Sequence, residues 1–250
     1  MSKYQPLRFH FHASGYALSA HFHRPVEVPM PAQAALALPI EGGSAHSGLE
    51  KFEIPRLASF GSAQTHLSGS FQDSNTATTS VTVVVEALKI LDFLSVDRMV
   101  TRLTAEYKFG GNNSESHIIA LGSHFDGLRL GGFDVKVTLR HDLLINSKTF
   151  ADLQKSVKND AKAGKIAIQG NEVVLCSLVE KIETDLDKIP GVEIEGHVIR
   201  IPHLGEIALA EVFAGYGTRT LTMLRFELGS PDGGGGSSGS GSTNGIPPKG

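Results

Sequence analysis

Leu7-Arg-Phe-His-Phe-His-Ala13 sets Leu7, Phe9, Phe11 and Ala13 on one side of an extended backbone and Arg8, His10 and His12 on the other. Successive strand side chains point to opposite faces, so an apolar residue at every second position predicts a strand with one buried face. The same period returns in Arg98 to Tyr107, where Met99, Leu103, Ala105 and Tyr107 oppose Arg98, Arg102, Thr104 and Glu106. Asp134 to Asp142 sets Val135, Val137 and Leu139 against Lys136, Thr138 and Arg140. Thr220 to Leu228 shows a weaker form, with Leu224, Phe226 and Leu228 opposite Met223, Arg225 and Glu227.

Thr76 to Leu88 is rich in Thr and Val and apolar on both faces, the pattern of a central strand. Further strands are expected at Ala32 to Leu38, within Leu49 to Phe71, at Ser116 to Phe125, and on each side of a hairpin turn at Gly170-Asn171. One helix is expected around residues 149 to 163. Phe150, Leu153, Val157 and Ala161 recur at helical spacing, Thr149 with Asp152 forms a capping box, and Gly164 marks the stop. Leu178 to Leu186 is a second helical candidate. No strand, helix, parallel-strand alternation appears, which counts against α/β architectures. The fold class is therefore mainly β, an antiparallel β-sandwich or flattened barrel with one or two packed helices and a disordered C-terminal tail.

With 250 residues, 40% of them hydrophobic, the chain can bury a core without disulfides. Residues 1–228 are expected to form one domain. Residues 229–250, almost entirely Gly, Ser, Pro, Asn and Thr, are expected to be a flexible tail, because such composition buries too little apolar surface to offset the entropy of ordering. The net charge is -3, and its 23 basic and 26 acidic residues are dispersed, which gives no basis for nucleic-acid binding. No apolar run is long enough for membrane insertion, and Met1 to Leu7 has no secretory signature. The lone Cys176 suits a reducing compartment, so a cytoplasmic location is expected, with signal-less export compatible with the same features.

The most unusual motifs are His10-Phe11-His12 and His21-Phe22-His23. A two-residue turn at Ser14-Gly15 would place residues summing to 29 opposite one another, put all four histidines on one face, and leave His10 and His21 as the closest cross-strand pair. Neutral imidazoles so placed could bind a divalent transition metal such as zinc, copper or nickel. The plainer reading makes them the polar half of an amphipathic hairpin, since no Asp, Glu or Cys joins them. Amidohydrolase-type barrels also carry an early His-x-His, but the alternating strands and helices they need are missing. His141 is expected in a strand on the face of Leu139; His117, His124 and His46 have no partner specified by spacing, His46 lying in a Gly/Ser loop. Cys176, between Leu175 and Leu178, is expected to be an inert buried thiol. Gly110-Gly111 and Gly131-Gly132 fit turns, and Asp92 with Asp97 fits a solvated turn better than an acid/base couple.

Phe9-His-Phe-His-Ala-Ser-Gly-Tyr16, Thr79-Ser-Val-Thr-Val-Val-Val-Glu-Ala-Leu-Lys-Ile-Leu-Asp92, Ile118-Ile-Ala-Leu-Gly-Ser123 and the run Arg219 to Pro231 resemble a set of uncharacterised bacterial proteins. More distantly, the order of Ala87-Leu-Lys-Ile-Leu91, Val96-Asp-Arg98 and Phe125-Asp-Gly-Leu-Arg-Leu-Gly-Gly132 is similar to that in choice-of-anchor P proteins. Those proteins look secreted and surface-anchored, and neither resemblance implies catalytic residues. The functional expectation is a non-catalytic binding or self-associating module, a homo-oligomer or one half of a protein pair. The alternative is a metal-binding protein or metal-dependent enzyme using His10, His12, His21 and His23.

Overall fold

A computed structural model describes residues 8–24, 26–110, 115–160, 173–215, 218–229 and 233–248. In chain order its strands are β1 (His10–Arg24), β2 (Val28–Gln33), β3 (Leu36–Ala37), β4 (Gly43–Ile54), β5 (Ala58–Phe71), β6 (Thr76–Ile90), β7 (Leu94–Lys108), β8 (His117–Ile119), β9 (His124–Asp126), β10 (Arg129–Leu130), β11 (Phe133–Leu139), β12 (Val173–Ser177), β13 (Val179–Thr184), β14 (Glu193–Glu195), β15 (Val198–Ile201), β16 (Gly205–Gly215), β17 (Thr218–Leu228) and β18 (Gly233–Ile246). Two helices, α1 (Asp142–Asn146) and α2 (Phe150–Asn159), stand between β11 and β12.

The strands form two antiparallel sheets that close into no barrel. One runs β14-β15-β16-β17-β18-β1-β2, with β12 also on β16 and β3 on β1; the other runs β13-β11-β10-β7-β6-β5-β4, with β8 and β9 on β7. They pack face to face where β1, β17 and β18 lie over β5, β6 and β7. Val81, Val83 and Val85 of β6 and Met99 and Leu103 of β7 meet Phe11, Leu18 and Phe22 of β1 and Leu221, Leu224 and Phe226 of β17, all fully buried. Each such side chain contributes roughly 1.5–3 kcal/mol by leaving water. Among the described residues no helix is long and apolar enough to cross a membrane.

The expected flexible tail is a correction, because Gly233–Ile246 is a central strand. It pairs with β17 from Arg219↔Thr243 to Leu228↔Gly234 and with β1 from His10↔Ile246 to Arg24↔Gly233. Its small residues are what the packing requires. A Cβ on Gly245 would lie 2.2 Å from the Phe9 ring, and one on Gly236 would lie 2.6 Å from the Phe226 ring, so the neighbouring aromatics fill the space over this strand's inner face. Ser238 Oγ donates to the Ala17 carbonyl at 2.6 Å, and Thr101 Oγ1, from the opposite sheet, donates to the Gly239 carbonyl at 2.6 Å. Paired backbone and close approach replace the side-chain burial that the composition lacks.

A second feature runs across both sheets. At Ala17, Gly239, Met223 and Ala210 one residue per strand drops out of the pairing while the register on either side is unchanged, as in Tyr16↔Ser240 and Leu18↔Ser238. Alternate members of this line, Ala210 and Gly239, have φ of 49° and 61°. The opposite sheet repeats the device at Lys51 and Ala87, with φ of 50° and 52°. Each interruption exchanges the inward and outward positions beyond it. The inward residues of β1 are therefore Phe11 and Ala13 on one side and Leu18, Ala20 and Phe22 on the other.

The helix over 149 to 163 is present as α2, with both hydrogen bonds of the Thr149/Asp152 box and with Phe150, Leu153 and Val157 buried. Gly164 and the Gly170-Asn171 turn lie outside the described residues. The Leu178 to Leu186 helix is corrected to strand β13, whose backbone pairs with β11 from Val135↔Thr184 to Leu139↔Val179. Its β-branched Val179, Ile182 and Thr184 suit that edge.

Candidate functional site

The first correction at the histidine motifs is that Ser14-Gly15 is not a turn. The segment is a single fifteen-residue strand, flanked on one side by β18 and on the other by β2 and β3. Phe11 and Phe22 point inward, so His10, His12, His21 and His23 do share the outer face, but only because the interruption at Ala17 exchanges the faces midway. His12 and His21 are separated by nine residues of strand, roughly 30 Å at ~3.3 Å per residue. The four histidines therefore do not converge.

What the structure brings together is a different set. The pairings His21↔Pro29 and Phe22↔Val28 carry Glu27 to the end of β1. There the ligand-capable atoms of His21, His23 and Glu27 all lie within 4.8 Å of one another, the one trio of this kind among the described residues. The His21 and His23 rings have centroids 4.1 Å apart, and His21 Nε2 is 3.4 Å from Glu27 Oε1. Glu27 was legible as a cross-strand neighbour only once β1 was known to be continuous.

The other singled-out residues are accounted for locally. His46 lies in β4, not in a loop, directly opposite His66 on β5 with ring centroids 4.2 Å apart. His117 Nε2 is 3.0 Å from the Ile145 carbonyl, and His124 is 3.3 Å from Asp126. His141 is the residue before α1 rather than part of a strand, because β11 ends at Leu139. Burial pushes the Cys176 thiol up to about 12, so it is inert at neutral pH. Asp97 receives a bidentate hydrogen bond from Arg129 at 2.9 and 3.1 Å, which holds its carboxyl below the usual range and takes it out of any acid/base couple with Asp92.

A buried polar network that the alternation did not reveal joins His197, Glu211 and Arg225. Arg225 Nε donates to Glu211 at 2.6 Å, and His197 Nε2 lies 3.2 Å from the same carboxylate. Burial alone would raise the Glu211 pKa, but the His197 and Arg225 hydrogen bonds and the Arg225 charge outweigh it and hold the group at about 2. A group so firmly ionised stabilises the fold and is a poor proton carrier. Its signal in the sequence is a carboxylate inside the apolar run Ile207 to Val212.

The sheet edges differ sharply in how they meet solvent. β2 carries Pro29 and Pro31, β14 spans three residues, and β13 presents Glu180, Lys181 and Glu183. Prolines, brevity and charges are the usual devices that stop an edge from recruiting another strand. β4 has twelve residues, pairs with β5 alone among the described residues, and is uncharged from Gly43 to Leu49. An open groove of about 590 Å³ beside β11 and β13 is lined by Asp134, Glu183, Asp185 and Asp187, of which the first three pair with Arg129, Lys181 and Lys188.

A family model described as a domain of unknown function (DUF8256) matches residues 9–169 and 157–214. No curated protein and no solved structure matches the chain.

Proposed function

We propose a binding role on one premise: the chain belongs to the family DUF8256, a domain of unknown function, which brings no assigned chemistry with it. In this reading the protein is a non-catalytic β-module that associates through the free edge of β4, pairing with β4 of a second copy. The carrying observation is the contrast among the strands that end the two sheet orders: β2, β13 and β14 are blunted, while β4 is long, plain and unpaired on its outer side among the described residues. An unpaired edge offers a row of backbone donors and acceptors, each worth on the order of 1 kcal/mol when paired.

A second copy is favoured by the distribution of charge. Glu50, Lys51 and Glu53 occupy one end of β4, and Gly43 to Leu49 occupy the other. Antiparallel mating about the strand's middle sets each charged end against an uncharged one, so no like charges oppose. The inert Cys176 and the absence of a second thiol in the sequence agree with work in a reducing compartment such as the cytoplasm.

Light scattering over a hundredfold range of concentration tests this reading. The wild-type mass should rise toward twice the chain mass, and Ala45→Lys should remain monomeric. Ala45 is a half-buried, inward position of β4, where a lysine stem lies along the core and its ammonium reaches solvent at the mating edge. A wild-type chain that stays monomeric throughout, or a folded Ala45→Lys chain that associates equally well, contradicts it.

A further inference from the structure

We propose that His21, His23 and Glu27 form a surface site for one divalent transition-metal ion of the zinc class, a site independent of the β4 edge. The three donors are fixed by backbone architecture. His21 and His23 stand two residues apart and exposed at the end of β1, where the register with β18 shifts between Phe22 and Arg24; their ring centroids are 4.1 Å apart, and the β1–β2 register delivers Glu27 beside them.

The donor set is one that such ions accept: two imidazole nitrogens and one carboxylate oxygen, each normally bound at about 2.0–2.2 Å. Tetrahedral ligands at that range lie ~3.3 Å apart. The His21 Nε2 to Glu27 Oε1 separation is already 3.4 Å, and the trio as a whole lies within 4.8 Å, a difference that side-chain torsions can close. The His21 and Glu27 side chains are 46% and 72% exposed, so the ion need not be stripped of all its water, and a fourth position stays open to solvent. The single carboxylate offsets one unit of the ion's charge and the imidazoles bind in their neutral form. Among the described residues, His10 and His12 on the same strand have no third donor within reach, nor has the His46–His66 pair across β4 and β5.

Calorimetric titration of the untagged full chain with zinc chloride, in a buffer that does not chelate, decides the matter. One ion per chain should bind saturably. His21→Ala should weaken binding by about tenfold or more, Glu27→Gln by a smaller factor, and His12→Ala and His66→Ala should bind as wild type does. All four side chains are exposed, and unchanged circular dichroism and melting in the absence of metal confirm that each variant folds. Absence of saturable binding overturns the proposal, as does binding that survives His21→Ala or that disappears in His66→Ala. Because Ala45→Lys leaves these ligands intact, failure of the association test and failure of this one are separately readable.

Discussion

At Gly245 and Gly236 a missing methyl group leaves room for the Phe9 and Phe226 rings over β18. A side chain at either would have to displace Phe9 or Phe226 from a packed core, and overpacking of this kind costs about 1–3 kcal/mol. Gly245→Val is therefore expected to lower the urea midpoint clearly. Gly43→Ala, at a position with no atom within 4 Å of the added Cβ, lacks that clash and costs only the strain of its φ of 102°. Glu211 supplies a second test. Its folded pKa, about 2, lies below the ordinary 4.5, so as pH falls the unfolded chain takes up the proton first. The stabilisation is complete above about pH 5 and is lost progressively toward pH 2, a contribution on the order of 3 kcal/mol. Glu211→Gln should be less stable at neutral pH and should show a flatter stability profile over that acid range. Cys176, raised to about 12 and buried, should react with iodoacetamide only after denaturation.

At the scale of elements, strand periodicity was legible wherever one face meets solvent and no interruption falls inside the segment. Phe9 to Ala13, Asp134 to Leu139 and most of β7 meet that condition, Leu7 lying outside the described residues, and α2 was legible from its capping box and spacing. The weak alternation of Thr220 to Leu228 has a cause. Met223 and Leu224 are both inward because the transverse interruption passes between them, and the same line turned β1 into an apparent hairpin. The strand β18 was illegible for a different reason. Composition reports what a segment can bury by itself, whereas Gly233–Ile246 is held by two neighbours and by aromatics belonging to them. A chain ending at Gly229 should consequently lose its cooperative thermal transition, since β1 and β17 would be left without the strand that joins them. The candidate site was half legible: His21 and His23 stood out, but Glu27 and the blunting of three edges depend on which strands are neighbours.

The whole molecule is a two-sheet sandwich whose interior is sealed by a Gly/Ser strand, and among the described residues β4 ends its sheet as a twelve-residue edge, uncharged from Gly43 to Leu49. Sealing and exposure predict opposite behaviour of backbone amides in the same chain. Amide hydrogen exchange followed at low and high protein concentration reads both at once. Residues 235–244 should exchange slowly at every concentration, and residues 43–50 should exchange faster when dilute and become protected as concentration rises. Exchange across residues 43–50 that does not change with concentration would contradict self-association through this edge.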